Sequence, residues 1–426
     1  MVVRNRNASC RRCAEAGPTG AILVEGNDLA VAPERCIGCG TCATVCPTAA
    51  LESKKPDDKG LLKAAVAAMQ ANDGVAVVMD EAMQAAADAA GCALRPHIKT
   101  HKMAVFARMQ VEAGAQGITC AKVSEAETMA AGGLRDIFIA YPMVGAFRIR
   151  RALALAPKLD RLILAVDSWE CARELSDAAQ AEGLCLEVRL EIDTGAGRTG
   201  VPLEHAAALA QRIAAMPGLR LTGIYTFKGL IYQGAPTQDN ILAAKEEGEM
   251  MAEAARSIRA AGVAIQDVSA GSSPTGVAVA QTGLVTEVRP GTYIFKDQML
   301  CGEHVAEPEQ IAVRYAATVV SVQHGEYAVL DGGSKTFATD IPLNAPPFYY
   351  PGYAAVEGRP DLCLSRMNEE HGILTAACGQ TKLKVGDVLT LVPIHVCTAV
   401  NQQNAVYLLE NGRLTRHPVD ARGMTV

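Results

Sequence analysis

The chain lacks the patterns that would place it on a nucleic acid or in a membrane. Its 426 residues carry a formal net charge of −6 without any block of Lys and Arg, which argues against binding to nucleic acid or anionic membranes. No apolar run approaches the roughly 20 residues of a membrane span, and the segment from Met1 to Asn7 lacks the apolar core of a signal peptide. We therefore expect a cytoplasmic protein that acts on a small molecule.

Cysteine is too sparse for a disulfide scaffold, with 14 residues in the whole chain. Six of the cysteines fall within the first 46 residues, and such a cluster indicates metal binding. The chain is longer than a single typical core, so its length predicts two or three domains.

The N-terminal cysteines have the spacing of an iron-sulfur motif. Cys36, Cys39, Cys42 and Cys46, followed by Pro47, are spaced as in bacterial ferredoxins, and residues 5 to 52 resemble 4Fe-4S ferredoxins. An imperfect repeat of this motif adds Cys10 and Cys13 but has Asn7 and Gly17 where two more cysteines would stand. The module, residues 1 to 55, therefore holds a cluster with a rearranged fourth ligand, a three-iron cluster or a zinc site, or it is an empty fold.

The remainder of the chain has the pattern of an α/β barrel followed by a β domain. A polar linker, Ser53 to Gly60, precedes apolar runs that alternate with helical patterns. The eight strand candidates are Val75–Met79, Arg95–Thr100, Gly117–Ala121, Asp136–Tyr141, Leu162–Val166, Cys185–Ile192, Leu221–Phe227 and Asp267–Ala270. They predict a parallel (β/α)8 TIM-like barrel over residues 61 to 300. Strand-like segments near 312–322, 327–330 and 388–393 predict a C-terminal β domain, 301 to 426.

Three short segments carry residues suited to chemistry. The run from Arg95 to Lys102 crowds lysines and histidines where a strand leads into a helix, and a lysine there suits a Schiff base. Ser269 to Thr275 offers small and hydroxyl residues to a phosphate. His395 and Cys397, two residues apart, would lie on one face of a strand as a pair of metal ligands. Together they indicate a lysine, a phosphate-bearing cofactor and a metal.

These segments, in this order, resemble the D-threonine aldolase and D-serine dehydratase family of alanine-racemase-like pyridoxal phosphate enzymes. The resemblance covers residues 61 to 426 and rests on Arg95–Lys102, Ile118–Glu125, Asp193–Gly200, Gly271–Thr275, Glu287–Gly291 and His395–Cys397. It implies that Lys99 carries the cofactor and that His395 and Cys397 bind a divalent metal. It also implies a phosphate site at Gly271, Ser272, Ser273 and Thr275. Tyr225 is the candidate to face the pyridine ring.

The resemblance leaves the reaction open between two fates of a β-hydroxy-D-amino acid. Removal of the α-proton by Lys99 with metal-assisted loss of the hydroxyl gives a 2-oxo acid and ammonia. Cleavage between the α- and β-carbons gives glycine and an aldehyde instead. In the family that the chain resembles, the aldolase branch has a His-x-Asp pair with manganese, and the dehydratase branch has a His-x-Cys pair with zinc. Cys397 therefore favours zinc and dehydration of D-serine or a relative such as D-threonine.

Other readings remain beside this one. A racemase of the same fold would use Lys99 and an opposing tyrosine without a metal, and the chain could instead be a non-catalytic cofactor carrier or redox sensor. We expect a homodimer, with a redox partner as an option for the N-terminal module. Phe227 stands where relatives often have a polar residue such as histidine, and Gln402 and Gln403 depart from the usual family ending. These departures from the family pattern leave the choice of substrate open.

Overall fold

The computed structural model describes residues 2–3, 22–25, 28–31, 51–52, 75–410 and 413–426. The chain divides into two compact units, Met1–Ala65 and Val66–Val426. In the first unit β1 (Val2–Val3) pairs antiparallel with β4 (Leu51–Glu52), and β2 (Ile22–Glu25) pairs antiparallel with β3 (Asp28–Val31). The predicted iron-sulfur ligands lie outside the described residues: Cys10, Cys13, Cys36, Cys39, Cys42 and Cys46.

The second unit begins with a parallel barrel. Its eight strands are β5 (Ala93–Leu94), β6 (Ile118–Cys120), β7 (Asp136–Pro142), β8 (Arg161–Val166), β9 (Leu186–Asp193), β11 (Leu219–Tyr225), β14 (Asp267–Ala270) and β15 (Glu287–Val288). They pair in the order β5-β15-β14-β11-β9-β8-β7-β6, and the short β10 (Val201–Pro202) pairs with β9. A parallel bridge between His97 and Thr119 joins the ends of this path. The predicted TIM-like barrel is confirmed.

Helices follow most strands and pack on the outside of the barrel. They are α1 (Val75–Ala89), α2 (Ala104–Glu112), α3 (Val123–Ala131), α4 (Ala146–Leu155), α5 (Trp169–Ala181), α6 (Leu203–Ala214), α7 (Asn240–Ala260) and α8 (Gly276–Gln281). Side-chain caps begin two of them, because Ser168 accepts from the Cys171 amide and Asp239 accepts from the amides of Ile241 and Leu242. Leu175 of α5 has no exposed surface, as expected for the apolar side of an amphipathic helix.

The sequence interpretation was wrong for the first strand. Val75–Met79 lies within helix α1, and the barrel starts at β5, just before the predicted segment Arg95–Thr100. A five-residue apolar run cannot distinguish a strand from a buried helix by its pattern alone. The eighth strand, Glu287–Val288, is only two residues long and gives no periodic signal.

Buried ion pairs connect the barrel strands on their inner side. Glu287 binds Arg95 on one flank and Arg189 on the other, with N–O distances of 2.7 and 2.6 Å. Arg189 also binds Asp267 at 2.7 Å. Burial alone would raise the pKa of Glu287, but the two guanidinium groups outweigh it and lower that pKa far below its usual range. The two-residue strand β15 is therefore held in the sheet partly by the ion pairs of the Glu287 side chain.

The C-terminal part of the unit is a closed antiparallel β barrel. Its strands are β16 (Tyr315–Ser321), β17 (Tyr327–Asp331), β18 (Ala354–Val356), β19 (Leu362–Met367), β20 (His371–Ala376) and β21 (Val388–Pro393), in the order β16-β17-β20-β19-β18-β21. Val319, Leu330, Leu364, Leu374 and Leu391 fill its core without exposed surface. This confirms the predicted C-terminal β fold.

Shorter elements complete the unit. The hairpin β12 (Ile231–Tyr232) and β13 (Ala235–Pro236) follows β11, and α9 (Gln298–Gly302) leads towards the second barrel. After β21 come α10 (Val396–Gln402) and the hairpin β22 (Ala405–Glu410) and β23 (Arg413–Pro418). Among the described helices, none combines the length and the apolar character needed to cross a membrane.

Candidate active site

Lys99 lies at the carboxyl end of the first barrel strand. It is the middle residue of a 3-10 turn, Ile98–Thr100, whose two other residues are fully buried and anchor the turn. The Lys99 amide donates to Nδ1 of His97 at 3.3 Å. Its Nζ lies 5.6 Å from the ring centroid of Phe227, which follows β11. Both residues therefore lie at the end of the barrel where active sites of this fold are found.

The surroundings of Lys99 favour a neutral amine. Burial lowers the pKa of Lys99, and the cations Arg198 and Arg289 lower it further, although Cys397 acts in the opposite direction. A neutral amine is the form that attacks a carbonyl to make a Schiff base. Burial also holds the pKa of His97 well below its usual range, and the neighbouring Lys99 and Arg289 lower it further.

Two other lysines near this turn are engaged elsewhere. Nζ of Lys102 lies 3.1 Å from a carboxylate oxygen of Glu125 and donates to the Met424 carbonyl at 3.4 Å. Nζ of Lys122 lies 3.5 Å from the ring centroid of Tyr141. Of the three, Lys99 is the best placed to react.

The four predicted phosphate residues form one tight turn between β14 and α8. Gly271 has a φ of +82°, and a Cβ there would lie 2.8 Å from Cγ1 of Val279. Only glycine fits this turn without strain. The Ser272 amide donates to Oγ1 of Thr275 at 3.0 Å, and the two hydroxyls are 3.1 Å apart. The turn is thus held in a fixed shape by hydrogen bonds within it.

A buried carboxylate supports this turn from behind. Glu247 of α7 has no exposed surface and accepts from the Gly271 amide and the Thr275 hydroxyl, both at 3.1 Å. Burial raises the pKa of Glu247, although both hydrogen bonds oppose the rise. Ser273 Oγ accepts from the amides of Gly291 and Thr292 at 3.2 and 2.8 Å. The Thr275 and Ser273 hydroxyls therefore already have protein partners.

Tyr225 is packed deeper in the barrel than Lys99. Only 2% of its surface is exposed, its hydroxyl donates to Glu191 at 2.8 Å, and its ring lies edge-on to Phe138. The guanidinium of Arg289 lies 5.2 Å from the centre of the Tyr225 ring. Tyr225 is thus packed in the barrel interior, and its place against the pyridine ring stays a prediction.

Phe227, which the sequence analysis marked as a departure from relatives, is a neighbour of Lys99. Besides Lys99, its ring has the guanidinium of Arg198 at 4.2 Å from its centroid, a cation–π distance. Arg198 is carried by a loop that Asp193 orders, since Oδ1 of Asp193 accepts from the Gly195 amide at 2.9 Å. Phe227 therefore places a cation near the reactive lysine.

The metal-ligand pair lies at a helix start and not on a strand, which corrects the sequence prediction. Strand β21 ends at Pro393, His395 is the N-cap of α10, and Cys397 lies in its first turn. The strand pattern Leu389–Pro393 does not reveal this change of direction. The two side chains still interact, because Cys397 raises the pKa of His395 and His395 lowers the pKa of Cys397.

Cys397 connects this pair to the turn that carries Lys99. Its Sγ lies 3.1 Å from Oγ1 of Thr100 and 3.4 Å from Oγ1 of Thr292. Nδ1 of His395 lies 2.7 Å from Oδ2 of Asp340. The predicted lysine and the predicted metal ligands, almost 300 residues apart, are thus neighbours in one site.

The His395–Cys397 pair is strongly polarised. Burial would lower the pKa of His395, but Asp340 and Cys397 outweigh it and raise that pKa to about 11. Burial would raise the pKa of Cys397, but His395 and Lys99 lower it on balance. A cysteine sulfur and a histidine nitrogen are donors that suit zinc once both have lost their protons. Within the described part of the chain, no group of three or more His, Cys, Asp and Glu side chains is arranged around a metal position.

Two buried carboxylates lie near the pair. Asp297 accepts from the amides of Val396 and Leu300 at 2.9 and 3.1 Å, which ties α9 to the start of α10. Glu303 is 8% exposed, and its Oε2 has no hydrogen-bond partner among the described residues. Burial raises the pKa of Glu303 to about 8, and Asp297 adds to the rise. Neither carboxylate was singled out from the sequence.

Comparisons with known proteins identify the family of this chain. Residues 79–299 match the model of the alanine racemase N-terminal domain, residues 312–409 match a putative serine dehydratase domain, and residues 29–52 match a 4Fe-4S binding domain. The chain belongs to the D-threonine aldolase and D-serine dehydratase family of alanine-racemase-like enzymes, with a ferredoxin-like N-terminal extension. It is a pyridoxal phosphate-dependent lyase of that type.

Individual relatives have dehydratase and aldolase activities. The D-threo-3-hydroxyaspartate dehydratase of Delftia sp. (strain HT23) is 35% identical over 329 residues, which cover 74% of this chain and 86% of the relative. The D-threonine aldolase of Arthrobacter sp. is 30% identical, over 78% of this chain and 85% of the relative. The solved structure of the Delftia enzyme superposes with a TM-score of 0.74 at 33% identity, over 80% of this chain and 94% of that one.

Proposed function

We propose that this lyase dehydrates a β-hydroxy-D-amino acid, such as D-serine or D-threonine, to a 2-oxo acid and ammonia. The observation that carries the proposal is the His395–Cys397 pair beside the turn of Lys99, joined to it through Thr100 at 3.1 Å from the thiol. This arrangement puts a soft metal-ligand pair next to the amine that would hold the cofactor.

The residues fit the cofactor in two respects. Lys99 has an amine with a lowered pKa, and the Gly271–Thr275 turn is held in a fixed shape at the end of β14 by the hydrogen bonds of the Ser272 amide and of Glu247. Bound pyridoxal phosphate would supply an electron sink for a bond breaking at the substrate α-carbon. Lys99 would hold the cofactor and, once released from it, accept the α-proton at Nζ. Arg198 is an exposed cation near Lys99 and can attract the substrate carboxylate.

The metal would act as a Lewis acid that turns the β-hydroxyl into a workable leaving group. His395 and Cys397 are the residues that would hold it, and the thiolate favours zinc over manganese. One solved structure of a D-threo-3-hydroxyaspartate dehydratase is a cysteine-to-alanine variant in its metal-free form, which supports a role for cysteine in holding the metal of that protein.

Aldol cleavage to glycine and an aldehyde is the second candidate. Relatives with aldolase activity favour it: besides the Arthrobacter enzyme, the 3-hydroxy-D-aspartate aldolase of Paracoccus denitrificans (strain Pd 1222) is 32% identical over 79% of this chain and 87% of its own. Racemisation is the third candidate. Cys397 favours dehydration over aldol cleavage, because the resemblance implies a harder carboxylate ligand at that position in the aldolase branch.

The proposal extends to the N-terminal module and the assembly. Residues 1–55 would form an iron-sulfur module, with the matched segment 29–52 supplying Cys36, Cys39, Cys42 and Cys46. Cys10 and Cys13 lie outside that matched segment and complete our candidate ligand set. The catalytic barrel would cover 61–300 and the metal-bearing β domain 301–426. The protein would be a homodimer, and a redox partner would bind to the N-terminal module.

Product analysis tests the proposed reaction. Purified enzyme is incubated with D-serine and with D-threonine, and the products are separated and identified. Pyruvate and ammonia from D-serine are expected. Glycine with an aldehyde from D-threonine would mean aldol cleavage, and L-serine from D-serine would mean racemisation; either one as the main product overturns dehydration.

A further inference from the structure

The loop between β17 and β18 brings an acidic side chain next to the ring of His395, a proposed metal ligand. Asp340, in this loop, lies with Oδ2 2.7 Å from Nδ1 of His395, and Thr398 Oγ1 lies 3.4 Å from the same nitrogen. Nδ1 is therefore occupied by protein partners. Nε2 is the ring nitrogen that remains for a metal.

The loop is attached to the helix that carries Cys397. Nε2 of Gln402 donates to the Phe337 carbonyl at 3.1 Å, and Nε2 of Gln403 donates to the Thr336 carbonyl at 3.3 Å. Phe337 and Ala338 have no exposed surface, so the loop is also anchored in the core of the β domain. The two glutamines that depart from the usual family ending thus clamp the Asp340 loop onto α10.

We infer that Asp340 is a positioning residue for the metal, held in place by the Gln402–Gln403 clamp. This inference rests on the proposed metal site. A carboxylate that accepts a hydrogen bond from Nδ1 selects the tautomer whose Nε2 is free to bind, orients the ring and makes Nε2 more basic. Loss of such a partner typically reduces metal affinity 10- to 100-fold.

Zinc affinity of the full-length apoprotein tests the inference without any need for turnover. The free zinc concentration is set by competition with a chromophoric chelator. The zinc ions that His395→Ala and Cys397→Ser no longer bind are those of this site, which distinguishes them from any metal held by the N-terminal cysteines. We expect Asp340→Asn to weaken this site about 10- to 100-fold and Asp340→Glu to restore part of the affinity. Gln402→Ala combined with Gln403→Ala should weaken it in the same direction.

Asp331→Asn is the matched control, because Asp331 is an exposed carboxylate of β17 that faces His371 across the strand pair. It removes the same charge and should leave zinc affinity unchanged. The metal-free Asp340→Asn protein should lose the ion pair with His395 but remain folded at the temperature of the titration, as the control does, so that weaker zinc binding reports positioning of the ring and not unfolding.

The possible failures are distinguishable. Wild-type zinc binding in His395→Ala and Cys397→Ser would overturn the metal site itself and with it the metal-assisted part of the proposed function. Loss of the site in those variants, with wild-type affinity in Asp340→Asn, would overturn only the positioning role. An equal loss in Asp331→Asn would also overturn it, since the effect would then be one of general charge.

Discussion

The replacement of Gly271 by alanine tests whether the predicted phosphate turn needs a glycine because Val279 and Gly276 pack closely against it. The new Cβ would lie 2.8 Å from Cγ1 of Val279 and 3.0 Å from Cα of Gly276, at a φ of +82°. A left-handed conformation costs an alanine about 1–2 kcal/mol, and overpacking costs about 1–3 kcal/mol more. We therefore expect the free energy of unfolding to fall by about 2–5 kcal/mol, and cofactor affinity to fall as the Ser272 amide is displaced.

Trp169 makes the measurement specific to the barrel. It is the one tryptophan of the sequence and lies on α5, so its fluorescence during urea unfolding follows this barrel. Cofactor affinity is measured separately by titrating the apoprotein with pyridoxal phosphate.

Gly283→Ala is the control, since Gly283 also has a positive φ, +68°, but no atom within 4 Å of the new Cβ. It should lose only the conformational part and keep cofactor affinity. Val279→Ala should partly rescue Gly271→Ala, because it removes the clashing Cγ1. Equal losses in the two glycine variants, without rescue, would refute the close-approach argument.

Three further changes follow from the site. Cys397→Asp should weaken the preference for zinc and let manganese support the remaining activity, because a carboxylate discriminates less than a thiolate; activity ratios with the two metals in the apoenzyme decide this, and an unchanged ratio contradicts it. Burial and Asp297 raise the pKa of Glu303 from 4.5 to about 8, so its charged form is disfavoured in the fold. Stability should fall as the pH rises from 4.5 to about 8, by about 4–5 kcal/mol, and Glu303→Gln should remove that slope in urea titrations at several pH values. The same slope in both proteins contradicts the assignment. Deletion of residues 1–55 should leave the lyase active, because the family matches begin at residue 79 for the barrel; a folded but inactive truncation would contradict this.

The repeating parts of the fold could be predicted from the sequence. Strands such as Leu186–Asp193 are long, apolar and separated by helical patterns, and they were found close to their observed bounds. The two-residue strands Ala93–Leu94 and Glu287–Val288 were not, because their pairing depends on the ring of neighbours and on ion pairs such as Glu287 with Arg189. Local pattern carries no information on such contacts.

The candidate site was predictable where a motif is contiguous and not where it is assembled by folding. The turn at Gly271 and the pair His395–Cys397 could be seen as short motifs, although the pair was assigned to a strand. Asp340 lies 55 residues from His395 in the sequence, and Glu247 supports Gly271 from a helix of its own. Their roles follow only from tertiary packing.

The most direct test of the account is the identity of the lysine that binds the cofactor. The holoenzyme is reduced with borohydride, which makes the lysine linkage irreversible, and the labelled peptide is mapped by mass spectrometry. We expect the label on Lys99, and we expect both the label and turnover to be lost in Lys99→Ala. A label on Lys102 or Lys122, or normal turnover and labelling in Lys99→Ala, would contradict it.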